Sequence, residues 1–133
     1  MNLSQLVAAE GLNAITANLN GGTMGIYSGT QPASPETALS GNTALVTATF
    51  SGTAFNTPTY ANSKMTSSGA FTSGSYAPAA SGTATFARCF TSGGTAVADL
   101  TVGTTGTDVI IGNTNIQTGT NVSFSMTMSV PAA

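Results

Sequence analysis

The sequence predicts a mainly β fold, an antiparallel β-sandwich or jelly-roll-like barrel, with a short N-terminal α-helix in front and one long loop or arm within. Two observations predict it. From residue 23 onward, β-branched and aromatic residues alternate with small polar ones, and Gly, Pro, Asn or Ser clusters interrupt them about every ten residues. Ahead of that, residues 2–20 place Leu3, Leu6, Val7, Ile15 and Leu19 at spacings near three and four, with alanines between them.

The helix has recognisable ends. Asn2 or Ser4 can cap its start, and Gly21-Gly22 stops it, because glycine accepts the left-handed conformation that closes a helix C-terminus. Gly11 is a weak point that could divide it into two short pieces. The clearest strand spans 122–130, where Val122, Phe124, Met126, Met128 and Val130 share one face and Ser123, Ser125, Thr127 and Ser129 the other. Further strands are expected at 23–28, 44–50, 83–90, 96–102 and 108–111, with turns at Gly93-Gly94 and over 103–107. Residues 31–42 read as an ordered surface loop. Residues 58–81, polar and rich in Gly, Ser and Ala, read as a flexible arm holding Tyr60, Phe71 and Tyr76 as anchors for a neighbouring subunit.

At 133 residues the chain has the length of one domain: the helix in residues 1–22, the β-sandwich in 23–130 and the arm around 58–81. Its composition narrows the function. Only 5% of residues are charged, against roughly 25% in an ordinary soluble domain, and these are Glu10, Glu36, Lys64, Arg88, Asp99 and Asp108. With 41% hydrophobic residues and a net charge of −2 the chain does not have the composition of a disordered one. One Lys and one Arg cannot neutralise a run of phosphates, so nucleic acid is not an expected partner. No apolar run approaches the ~20 residues of a membrane span, and no basic, apolar leader opens the chain, so neither membrane nor secretion is expected. Two glycosylation-type triplets, Asn2-Leu3-Ser4 and Asn121-Val122-Ser123, are expected by chance in a chain so rich in Asn, Ser and Thr.

Catalysis is not expected either. The chain has no histidine, which removes the usual general base, the usual metal ligand and the base of a hydrolytic triad. Cys89 stands alone, so no intrachain disulfide or structural zinc site can form, and it reads as a buried small hydrophobe. Lys64 lies in the most polar stretch. Glu36, Asp99 and Asp108 are not set as a pair by any local motif, and no acidic loop suits calcium. Catalytic, cofactor and metal sites are therefore all expected to be absent. Arg88 shares a strand face with Ala84, Phe86 and Phe90, and an Arg88–Asp99 pair across the Gly93-Gly94 hairpin is the expected structural use of both.

The segment Gly21-Gly22-Thr23-Met24-Gly25-Ile26-Tyr27-Ser28-Gly29-Thr30-Gln31-Pro32 is the most distinctive. Together with Gly82-Thr83-Ala84-Thr85-Phe86-Ala87-Arg88, the Gly93-Gly94-Thr95 turn and the alternating strand ending at Pro131, it resembles small virion structural proteins of tailed bacteriophages. The resemblance covers most of the chain in order, with 58–81 poorly matched. It implies a protein made in the host cytoplasm that decorates or cements the outer capsid surface as a β-sandwich oligomer, frequently a trimer, with the major capsid protein and copies of itself as partners. A tail or head–tail connector component is the near alternative. A carbohydrate-binding module of a fibre is the more distant one, for the chain has no Trp and only three Tyr to make an aromatic platform. The expected contact residues are Leu3, Leu6 and Val7 on the helix and Phe71 and Tyr76 on the arm.

Overall fold

The structure, a computed structural model, describes residues 3–132. Helix α1 (Gln5–Ala17) precedes ten strands: β1 (Thr23–Tyr27), β2 (Ala44–Phe55), β3 (Thr59–Ala61), β4 (Lys64–Phe71), β5 (Gly82–Thr83), β6 (Phe86–Phe90), β7 (Ala96–Gly103), β8 (Val109–Ile111), β9 (Asn115–Ile116) and β10 (Phe124–Pro131). Seven of them close a mixed barrel in the order β10-β8-β7-β6-β1-β2-β4, and β4 pairs back to β10. The β3 strand extends β4 as a hairpin, and β5 and β9 form a separate two-stranded ribbon. Every pairing is antiparallel except β7 with β8.

Alternation puts the apolar face inward. Met24 stands opposite both Ala48 and Cys89, and Ile26 opposite both Val46 and Ala87, so side chains from β1, β2 and β6 share one face. All of them are buried. Phe124 and Met126 face Ile111 and Val109 in the same way on the other side of the barrel. A single buried cluster joins Met24, Ile26, Val46, Ala87, Cys89, Val109, Ile111 and Met126 to Ala8, Leu12 and Leu19 at the N-terminal end, so helix and barrel share one core.

Helix α1 forms where its periodicity places it, and Ser4 caps it by accepting a hydrogen bond from the Val7 amide at 3.3 Å. Asn2, the other expected cap, lies outside the described residues. The helix runs unbroken through Gly11, contrary to the expected division, because packing of Ala8, Leu12 and Thr16 holds both halves to the barrel. Gly21, at φ 71°, turns the chain out of the helix. Gly22 then passes so close to β6 that a Cβ there would overlap the Phe90 carbonyl.

The largest departure from the sequence reading is the segment 58–81. Expected as an arm, it contains β3 and β4, and β4 is the strand that joins β2 to β10. Its apolar face is disguised. Of its inward positions Met65, Ser67, Gly69 and Phe71, two are small, and at Gly69 others fill the space: a Cβ there would meet Met126 Sδ at 2.5 Å and Phe55 at 3.1 Å. Ser67 is buried and donates its hydroxyl to the Asn56 carbonyl at 2.7 Å. The β3–β4 turn, Asn62-Ser63, has both residues at positive φ (52° and 58°), a two-residue turn whose twist suits a hairpin even though neither residue is glycine. The strand expected over 83–90 divides into β5 and β6, because the Thr85 amide bonds to the Tyr27 carbonyl while that of Ala84 bonds to Thr114.

Two glycines should respond oppositely to alanine. Gly11 has nothing within 4 Å of an added Cβ, so Gly11→Ala should stabilise the protein by about 1 kcal/mol through helix propensity. Gly22→Ala should cost about 1–3 kcal/mol, because the backbone must move to admit the methyl group. Urea denaturation midpoints of the two variants check both signs.

Candidate functional site

Three places hold the residues that could carry function: the outer face of β1, β6 and β7, the exposed side of α1, and a cleft beside β8 and β9. On the first, the β1–β6 and β6–β7 registers align Gly25, Arg88 and Asp99 in one row, with Tyr27 opposite Phe86 in the next. Arg88 Nε donates to Asp99 Oδ1 at 2.6 Å and Nη2 to Oδ2 at 2.9 Å, a two-pronged pair with side chains only 3% and 4% exposed. The remaining prongs reach the loop overhead, Nη1 to the Thr37 carbonyl at 2.8 Å and Nη2 to the Ser34 carbonyl at 3.1 Å. The guanidinium thus fastens the 29–42 loop to the barrel wall. Asn42 ties the other side of that loop, donating to the Ser28 and Thr30 carbonyls at 2.9 and 3.0 Å.

Tyr27 completes this face. Its ring stacks on Phe86 at 5.4 Å and lies across Gly25, where a Cβ would meet its hydroxyl at 2.6 Å. Burial raises the Tyr27 phenol above its ordinary range, with Arg88 acting in the opposite direction. The hydrogen bond to Asp99 raises the Arg88 guanidinium further still. With Asp99 committed to Arg88, the other carboxylate of this wall is Asp108, and Asp108 is also engaged: its Oδ2 accepts from the Thr101 amide and hydroxyl, both at 3.1 Å. Cys89 is buried on the inner face, and burial pushes its thiol up to about 12. No cluster of three or more metal-ligating side chains forms among the described residues.

Among the expected contact residues, Leu6 and Val7 are 69% and 50% exposed, whereas Leu3 is half-buried against the core. Phe71 and Tyr76 do not project from an arm. Phe71 stacks on Phe50 at 4.9 Å and meets Phe124 edge-on at 5.2 Å, and Tyr76 stacks on Phe124 at 6.1 Å. The Tyr76 hydroxyl gathers Thr72 Oγ1 at 2.9 Å and the Ser73 amide at 3.1 Å, together with the backbone of Thr49. Burial pushes this phenol up, but those hydrogen bonds outweigh it and leave it below its ordinary value. Both rings belong to the chain's own packing.

The cleft, of about 450 Å³, was not anticipated from the sequence. Its lining includes the buried Ile111 and Ile116, the half-buried Val122, and four amide residues, Asn113, Asn115, Gln117 and Asn121. The signal was there to be read, since four amides fall within nine residues, 113–121, around a single short strand. Comparison with protein-family models, with curated proteins and with solved structures gives no match.

Arg88→Met should cost about 3–5 kcal/mol, because it leaves the Asp99 carboxylate buried without a partner. The double variant Arg88→Met/Asp99→Leu should recover most of that stability yet leave the 29–42 loop protease-sensitive, since the Ser34 and Thr37 carbonyls lose their donors; chemical denaturation and limited proteolysis read the two effects separately. Cys89 should resist maleimide in the folded chain. Because its folded pKa lies above the unfolded value of 9.0, the unfolded chain binds fewer protons above that pH. The stability from the neutral thiol is therefore complete below about 9 and is lost toward 12. Cys89→Ala should flatten this alkaline decline in a pH series of melting curves.

Proposed function

We propose that the chain is a structural component of a phage virion: a decoration or cement protein on the outer head surface, binding the major capsid protein and further copies of itself and catalysing no reaction. The observation that carries this reading is the exposure of Leu6 and Val7 side by side on a helix whose opposite face is locked into the core by Ala8, Leu12 and Thr16. Such a pair loses contact with water only when another protein covers it, at a gain of about 25 cal/mol per Å² of apolar surface buried. The surrounding surface favours close approach. Of six charged residues, Arg88 and Asp99 are buried against each other, so a lattice of copies meets little repulsion. The resemblance of the 21–32 segment and of the 82–88 strand to phage virion proteins supports the same reading, as does the engagement of Asp99, Asp108 and Cys89 in structure.

Leu6→Glu/Val7→Glu should keep the melting temperature of the parent while reducing co-sedimentation with undecorated heads roughly tenfold or more, the loss expected when one or two aliphatic side chains are denied burial. Unchanged binding would overturn the assignment of the helix as the contact. Mass spectrometry of purified particles tests the location: a copy number comparable to that of the major capsid protein supports decoration, and a few copies per particle would assign the chain to the tail or the head–tail connector instead.

A further inference from the structure

The cleft beside β8 and β9 has no part in the virion reading. We propose that it is a binding site for a neutral saccharide, one or two uncharged, hydroxyl-rich rings. Its volume of about 450 Å³ lies within the range of small-molecule sites, and no charged residue lines it. A charged ligand would give up hydration there with no counter-charge to replace it. A neutral polyol meets what it needs. Each amide presents a carbonyl acceptor and an NH₂ donor on one side chain, and a sugar hydroxyl both donates and accepts.

The amides are arranged rather than scattered. Asn113 Oδ1 accepts from the backbone N–H of Asn115 at 2.9 Å, which fixes the Asn113 side chain to the start of β9, and Gln117 Nε2 donates to Asn115 Oδ1 at 3.0 Å, which joins those two side chains. Asn113 Nδ2, Asn115 Nδ2, Gln117 Oε1 and both polar atoms of Asn121 make no hydrogen bond within the described residues, and all four residues line the cleft. Half-buried Val122 offers an apolar patch for the C–H face of a ring, over the buried Ile111 and Ile116.

The walls are also fixed before any ligand arrives. The β9 strand is laddered to β5 through Gly82↔Ile116 and Thr83↔Asn115. The Thr118 amide donates to Ser81 Oγ at 2.9 Å, Val122 and Tyr76 exchange both backbone hydrogen bonds at 2.9 Å, and the Ser123 hydroxyl donates to the Gly74 carbonyl at 3.0 Å. A preformed site loses little entropy on binding. No aromatic ring lines it, so there is no stacking contribution, and affinity for a single sugar should fall in the millimolar range.

The test is a titration of the isotope-labelled protein followed by NMR at the side-chain amide resonances of Asn113, Asn115, Gln117 and Asn121. The probes are glucose, galactose, N-acetylglucosamine and lactose, with sialic acid and glucosamine as charged comparators. The expected result is a saturable shift at these amides with at least one neutral sugar, a smaller response to both charged sugars, and loss of the shift in Asn115→Ala/Asn121→Ala. Both substituted positions are exposed, and the rest of that variant's spectrum should match the parent's. The proposal is overturned if no neutral sugar gives a saturable shift, if a charged sugar binds as well, or if the shifts survive the double substitution. Head binding by the Leu6→Glu/Val7→Glu variant is a separate readout, so either reading can fail without the other.

Discussion

The pairing of β4 with β10 is the constraint on which the rest of this structure depends. A sheet that stays open exposes unpaired backbone groups along both margins, and proteins usually guard such margins with charged side chains. This chain has a single lysine and a single arginine, and the arginine is buried. Closing the sheet on itself removes the need for that guard: six residues of β10, Met126 to Pro131, are laddered to β4. What remains at the margin is β3, three residues long, beside the exposed Lys64. Sparse charge and a closed barrel are thus two sides of one solution.

Closure also explains the packing on either side of the wall. Inside, Met24, Met65, Met126 and Met128 supply flexible side chains that conform to an irregular space. Outside, the β1–β6–β7 wall would carry a buried cation if Arg88 stood alone. Instead the guanidinium has a carboxylate and two loop carbonyls to satisfy it, and the loop is ordered in return. Such a pair adds little net stability, because desolvating both charges offsets most of their attraction.

Most of the β elements could be read from the sequence because their inward positions are apolar. Residues 23–28, 44–50, 96–102 and 122–130 all announce themselves by alternation, and the Arg88–Asp99 pair follows from the hairpin between β6 and β7. The β4 strand did not, since Ser67 and Gly69 occupy inward positions, and at Gly69 Phe55 and Met126 take the room. Alternation records which side chains are apolar; it does not record which are small because a neighbour is large. The same limit hid the fate of Phe71 and Tyr76. Rings in a polar stretch look like anchors for a partner until the tertiary fold supplies Phe50 and Phe124. The cleft lies within one stretch, 111–123, whose amides are visible in the sequence, but its shape depends on distant β5, Ser81 and Tyr76, which hold that stretch in place.

The short parallel pairing of β7 with β8 follows from arithmetic. Around a closed ring, strand direction must return to its starting value, so the antiparallel contacts must be even in number. Seven strands have seven contacts, and at least one must therefore be parallel. The chain places that obligatory mismatch at Val102↔Val109 and Gly103↔Ile110, where Asp108 clasps Thr101 across a connection of a few residues. A parallel step ordinarily takes a crossover of a dozen residues or more. Here the few residues between β7 and β8 make the step, and the Asp108–Thr101 hydrogen bonds brace it.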